Sequence, residues 1–134
     1  MLHTDPVADI APITGELQTQ VMAAIWRLGG GTVAQVRAAL PPRYRGAHNT
    51  IQTVLNRLAE RGLLSRRKAG NAIEYRPRLS EADYLSRSIT QTLAAASMDA
   101  REAALAQLIG RLGKDELAEL QQLARKMDAK RRKR

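Results

Sequence analysis

Apolar residues keep a helical period between residues 17 and 58, lose it between residues 63 and 76, and regain it after Pro77. A chain patterned this way sets a short β-hairpin between two groups of helices, because a 3.6-residue and a 2-residue period bury different faces. The punctuation agrees: Gly62 and Pro77 bound the non-helical stretch, and Gly70-Asn71 lies at its middle as a turn signal.

Leu17, Val21, Ile25 and Leu28 mark the first helix, with Met22 and Trp26 beside them, Thr14 as its expected N-cap and Gly29-Gly30-Gly31 as its stop. Trp26 is read as core. Thr32-Val33-Ala34-Gln35 has capping-box spacing, in which a Thr hydroxyl and a Gln side chain each satisfy an amide at a helix start. Val33, Val36 and Leu40 face inward on this second helix, and Pro41-Pro42 ends it. A loop over Arg43-Tyr44-Arg45-Gly46 leads to a third helix, residues 47–61, with Ile51, Val54, Leu55 and Leu58 as its apolar stripe. Two strands, residues 63–68 and 72–76, flank the turn; packing is the expected role of Tyr44 and Tyr75. Ser80-Glu81-Ala82-Asp83 opens a fourth helix, Asp99 and Glu102 a fifth, and a sixth follows Gly113.

Three short helices followed by a basic hairpin form the plan of a winged helix-turn-helix. The expected fold is therefore mainly α with a small β-hairpin wing, followed by a C-terminal helical dimerisation region. The expected division is a flexible N-terminal arm (1–13), a DNA-binding domain (14–79), a helical dimerisation domain (80–129) and a basic tail (130–134).

Charge now carries information. The net charge is +9 over 134 residues, and its placement is uneven. Residues 1–79 hold a basic surplus, residues 80–129 a slight acidic one, and residues 130–134 are all basic. Between residues 43 and 78 the acids are Glu60 and Glu74, against eight arginines and a lysine. A basic front suits a polyanion.

With the apolar stripe of the third helix inward, its outer positions include Asn49, Thr50, Gln52, Thr53, Asn56 and Arg57. Asn and Gln can pair with adenine, Arg with guanine, and a Thr methyl can touch a thymine methyl in a major groove about 12 Å wide. No carboxylate occurs between residues 47 and 59, where an ordinary solvated helix would carry Glu. Arg66, Arg67 and Lys68 are the candidate backbone contacts of the hairpin. His48 is a candidate phosphate contact or an ordinary surface residue. The basic tail adds nonspecific attraction to DNA or is a solvated end.

Several chemistries find no support. The chain has no cysteine, which excludes disulfides, thiolate metal sites and thiol catalysis. His3 and His48 lack partners at metal spacing, so no metal or cofactor is expected. There is no Gly-rich phosphate loop, no Ser-His-Asp order and no carboxylate pair beside a histidine, so an enzyme is not expected. No apolar run reaches the length of a membrane span and no signal-peptide pattern opens the chain; a cytoplasmic location is expected.

Leu17 to Trp26 (LQTQVMAAIW), Thr32-Val33-Ala34-Gln35-Val36, Asn49 to Leu58 (NTIQTVLNRL), Gly62-Leu63-Leu64 and Tyr75-Arg76-Pro77 together resemble the penicillinase-repressor family (BlaI/MecI/CopY) in order and spacing. The match is best over residues 14–80. The resemblance implies a homodimeric repressor on a palindromic operator. It implies that the helix at 47–61 enters the major groove, with Thr50, Thr53 and Arg57 in its DNA-facing motif, and that the helices after the wing entwine. It also implies release by cleavage in the C-terminal part, triggered by a membrane sensor protease. The family's cleavage region often carries Asn-Phe; the nearest match here is Gln107-Leu108. Copper-responsive members carry a C-terminal cysteine cluster that this chain lacks.

The residues after the wing point to pairing independently. Leu85, Ile89 and Leu93 lie on one face of the fourth helix; Leu105, Leu108, Ile109 and Leu112 follow in the fifth, and Leu117, Leu120 and Leu123 in the sixth. Three short helices alone do not hide so many large side chains; docking onto the wing domain is the alternative cover. The competing functional readings are a nonspecific nucleoid-associated or RNA-binding protein using the same basic face, and a protein-interaction adaptor.

Overall fold

A computed structural model describes residues 10–133. Residues 1–9 of the expected arm and Arg134 of the expected tail lie outside the described residues. In chain order the elements are α1 (Glu16–Leu28), β1 (Gly31–Thr32), α2 (Val33–Ala39), a 3₁₀ turn (Pro42–Tyr44), α3 (His48–Glu60), β2 (Leu64–Ala69), β3 (Ala72–Pro77), α4 (Glu81–Ala94), α5 (Met98–Gly110) and α6 (Lys114–Arg132). By packing, the chain divides into two compact units, one ending at Gln91 and the other running from Thr92. The division falls inside α4, later in the chain than residue 79.

The first unit holds the core. Val21, Met22, Ala24 and Ile25 of α1 meet Val33 and Val36 of α2, Leu40 beyond it, and Ile51, Leu55 and Leu58 of α3. Leu63, just before β2, and Leu64 and Tyr75 of the sheet close this core. No phenylalanine is present, and Leu, Ile, Val and Met, with Ala24 and Tyr75, fill the interior. Trp26 packs at the margin, its Nε1–H donating to the Leu79 carbonyl at 3.0 Å and its ring centroid 5.6 Å from that of Tyr84. Leu28, at helical spacing from Val21 and Ile25, is exposed where α1 ends.

The capping box at Thr32 is present in both directions: Gln35 N–H donates to the Thr32 hydroxyl at 3.3 Å, and Thr32 N–H to Gln35 Oε1 at 2.9 Å. Three local expectations change. The N-cap of α1 is Gly15 rather than Thr14. Residues 42–44 form a 3₁₀ turn rather than an open loop, because Pro42 stands where a helical turn needs no amide donor. Ser97, not the acids after it, caps α5, its hydroxyl accepting from Ala100 N–H at 3.2 Å.

The wing is a three-stranded antiparallel sheet of order β1-β3-β2, where a two-stranded hairpin was expected. Gly31 pairs with Tyr75 and Thr32 with Glu74. Gly30 makes the approach possible: a Cβ there would lie 2.9 Å from the Tyr75 carbonyl oxygen, and its φ is +138°. At the hairpin tip Gly70 has φ +64° and Asn71 does not have positive φ, the pattern of a type II′ turn with Gly in the first central position.

The N-terminal arm is tied down over its described part. Ile10 N–H donates to Gln91 Oε1 at 2.8 Å, and Ile13 N–H to the Tyr84 hydroxyl at 2.8 Å. Partners remote in sequence hold a segment that shows no period of its own.

In the second unit α5 and α6 carry no buried residue. The expected basic tail is not separate from the last helix: Lys130, Arg131 and Arg132 form the end of α6. Cations there face the negative end of the helix dipole, which favours continuing the helix.

Candidate nucleic-acid interface

α3 has an anchored face and an open one. Ile51, Leu55 and Leu58 are fully buried and Val54 nearly so, which turns the opposite side of the helix outward. His48, Asn49, Thr50, Thr53 and Arg57 are exposed, while Gln52 and Asn56 are half-buried. Thr53 donates its hydroxyl proton back to the Asn49 carbonyl at 2.9 Å, which leaves its methyl and its oxygen lone pairs for a partner.

Two cations seat this helix. Arg37 Nε–H donates to the Gly46 carbonyl, and Arg45 Nη2 donates to the Leu40 carbonyl at 2.8 Å. Both satisfy carbonyls of the connection between α2 and α3, where Pro41 and Pro42 supply no amides. Arg43 lies 4.9 Å from the Tyr44 ring centroid and 3.9 Å from the Glu16 carboxylate, to which the Tyr44 hydroxyl donates at 3.1 Å. Several of the basic groups counted from sequence therefore bind the protein itself.

The register of the wing separates Arg66, Arg67 and Lys68. Arg66 pairs with Tyr75, Arg67 with Glu74 and Lys68 with Ile73. Directly paired residues share a face and successive ones alternate. Arg66 and Lys68 thus lie on the face of Leu64 and Tyr75. Arg67 lies on the other, where the Glu74 carboxylate stands 3.6 Å from Arg67 Nη2 and 2.8 Å from Arg76 Nε. Alternation alone contained this split; reading the triplet as one cluster overlooked it.

Tyr75 packs as expected, fully buried, but its contact with α3 is not visible in the sequence. Its hydroxyl donates to Asn56 Oδ1 at 2.7 Å, and Arg66 Nη1 donates to the same oxygen at 3.2 Å. Burial pushes the Tyr75 hydroxyl above its ordinary pKa of 10.0, with the Arg66 charge pulling the other way. The strand period places Tyr75 inward, but no local signal connects it with Asn56.

The result is an outward row of amide, hydroxyl and guanidinium groups on a rigid helix, flanked on β2 by Arg66 and Lys68. Such a surface suits the donor and acceptor groups of base edges beside a phosphate backbone. Among the described residues no group of three His, Asp or Glu side chains is placed to hold a metal ion. No helix of the described residues is long and apolar enough to cross a membrane.

The family model for the penicillinase repressor matches residues 14–126. The chain is 32% identical over 117 residues to the transcriptional regulator BlaI of Mycobacterium tuberculosis, covering 86% of this chain and 85% of that one. It is 31% identical over 74 residues to the penicillinase repressor of Bacillus licheniformis, covering 55% of this chain and 58% of that one. The solution structure of the DNA-binding domain of the repressor BlaI covers 57% of this chain and 94% of its own, at 30% identity and a TM-score of 0.49.

Proposed function

The chain belongs to the penicillinase repressor family, and from that premise we propose that it is a sequence-specific transcriptional repressor, acting in the cytoplasm as a homodimer on a palindromic operator. The open face of α3 carries this reading: a helix anchored by Ile51, Leu55 and Leu58 turns outward a row free of carboxylates from His48 to Arg57. In this assignment Asn49, Thr50, Gln52, Thr53 and Arg57 meet base edges. His48, at the first turn of α3, and Arg66 and Lys68 meet phosphates. Arg67 is a weaker phosphate contact, because it lies on the opposite face of β2 from Arg66 and Lys68, where it shares the Glu74 carboxylate with Arg76.

α4 and the second unit support pairing. Leu108 is 51% exposed, Ile109 46% and Leu123 56%, with Leu105 and Leu120 also exposed. On α4, Leu85 and Ile89 are exposed and Leu93 is half-buried, as are Leu112 and Leu117 further on. Burying one Leu or Ile contributes roughly 1.5–3 kcal/mol, so a second copy covering these faces gains more than a single chain leaving them wet. A two-fold pair sets its reading helices about 34–36 Å apart, or a multiple, along one face of a duplex. Release is assigned to cleavage in the C-terminal unit under a membrane sensor protease; Gln107-Leu108 lies within α5, so cutting there requires local opening of that helix.

A competition titration tests the reading. A two-fold repeat from the DNA beside the protein's own gene should outcompete random duplex and RNA by roughly a thousandfold at physiological salt. Equal retention of all three would replace the proposal by a nonspecific nucleoid-associated or RNA-binding role.

A further inference from the structure

We propose that Asn56 meets DNA as a hydrogen-bond donor only, its carbonyl oxygen being held inside the protein by Tyr75 and Arg66. The proposal rests on the operator-binding reading above and deepens it by naming what Asn56 can recognise.

The assignment of the amide follows from its neighbours. A guanidinium has donors and no acceptor, so the Asn56 atom 3.2 Å from Arg66 Nη1 is the oxygen. The Tyr75 hydroxyl, 2.7 Å from that atom, then donates its proton to it as well. An amide oxygen has two lone pairs, and both are occupied. Tyr75 is fully buried and its ring sits in the core, so its bond to the Asn56 oxygen is anchored in the packed interior, while Arg66 holds the second lone pair from the exposed side and keeps further N–H groups for a phosphate.

The amide nitrogen stands outside this pairing. Asn56 is half-buried, and among the described residues no buried side-chain nitrogen or oxygen lacks a partner. A nitrogen outside the latch therefore reaches solvent. It does so on the open face of α3, one turn beyond Gln52 and next to Arg57. Selective pairing of Asn with adenine needs both ends of the amide, the oxygen accepting from N6 and the nitrogen donating to N7. Asn56 has only the second. A lone donor suits guanine O6 or N7, thymine O4, or a phosphate oxygen, and it cannot prefer adenine over guanine, since both purines carry N7. Adenine recognition falls to Asn49 and Gln52, whose side-chain amides lie on the same face.

Selection from a pool of randomised duplexes with the full-length chain tests this. Wild type is compared with Asn56→Ala. Because that change leaves the buried Tyr75 hydroxyl without its acceptor, Asn56→Ala/Tyr75→Phe, which removes both partners, is run beside it. The expected result is one of two patterns. If the nitrogen meets a base, the variants lose a guanine or thymine preference of about fivefold or more at one position. If it meets a phosphate, they lose affinity on all sequences alike with the motif unchanged. A wild-type preference for adenine over guanine at the position the variants relax overturns the proposal, as does an unchanged motif with unchanged affinity. A wild-type chain that enriches no sequence removes the operator-reading function itself, an outcome distinct from either.

Discussion

The Tyr75 hydroxyl donates to Asn56 Oδ1 at 2.7 Å, tying the central strand of the wing to the outer edge of the helix that faces away from the core. The wing and α3 are thereby hydrogen-bonded to each other, and Arg66 donates to the same oxygen.

Tyr75→Phe removes a donor and leaves the packing, so it should lower stability by about 0.5–1.5 kcal/mol. Asn56→Ala leaves a buried hydroxyl without a partner and should cost more, about 1–3 kcal/mol. The double variant should cost clearly less than the sum. Urea unfolding of the four proteins gives the coupling; strictly additive losses would mean that the two groups do not act as a pair.

The same tyrosine predicts a response to alkaline pH. Burial raises its folded-state pKa above 10.0, so the unfolded chain releases the proton first as pH rises. The Tyr75 contribution is complete below that value and is lost as pH climbs through the folded-state pKa. The stability difference between wild type and Tyr75→Phe should therefore shrink across an unfolding series from about pH 9 to about pH 12. A difference that grows over this range would contradict the sign.

Gly30→Ala should destabilise by more than about 1 kcal/mol, because φ is +138° and the added methyl meets the Tyr75 carbonyl oxygen at 2.9 Å. Gly46→Ala is the control, since its Cβ would enter open space without a positive φ. Thermal unfolding should separate the two variants; equal midpoints would show that the approach of β1 to β3 is not tight.

Removal of the second unit should abolish pairing. The cut belongs after Gln91, where the first unit ends, because Tyr84 and Gln91 hold Ile13 and Ile10. Sedimentation should find the truncated chain monomeric and the full chain dimeric. A persistent dimer of the truncated chain would show that pairing does not need α5 and α6 and that the first unit, where Leu85 and Ile89 of α4 remain, suffices.

The helices of the first unit were legible because their signals are local. Ile51, Leu55 and Leu58 recur at the helical period, and all three are buried. Thr32 and Gln35 stand three residues apart and form the capping box that this spacing announces. The outward positions of α3 followed from the same stripe. Residue type alone makes Thr14 the expected cap, whereas a cap depends on where the backbone turns, and it turns at Gly15.

What the chain's order of residues determined by itself was periodicity, punctuation and charge: which faces are apolar, where helices stop, and which helix lacks carboxylates. Only the folded arrangement decided which polar group meets which. The oxygen of Asn56 is taken by residues ten and nineteen positions away, Arg66 and Arg67 part to opposite faces of the sheet, and Gly31-Thr32 becomes a third strand against Tyr75 and Glu74. Periodicity repeats over a few residues and can be read along the chain, but a hydrogen bond needs two groups within about 3 Å in space, and for remote residues that distance is set only when the core closes.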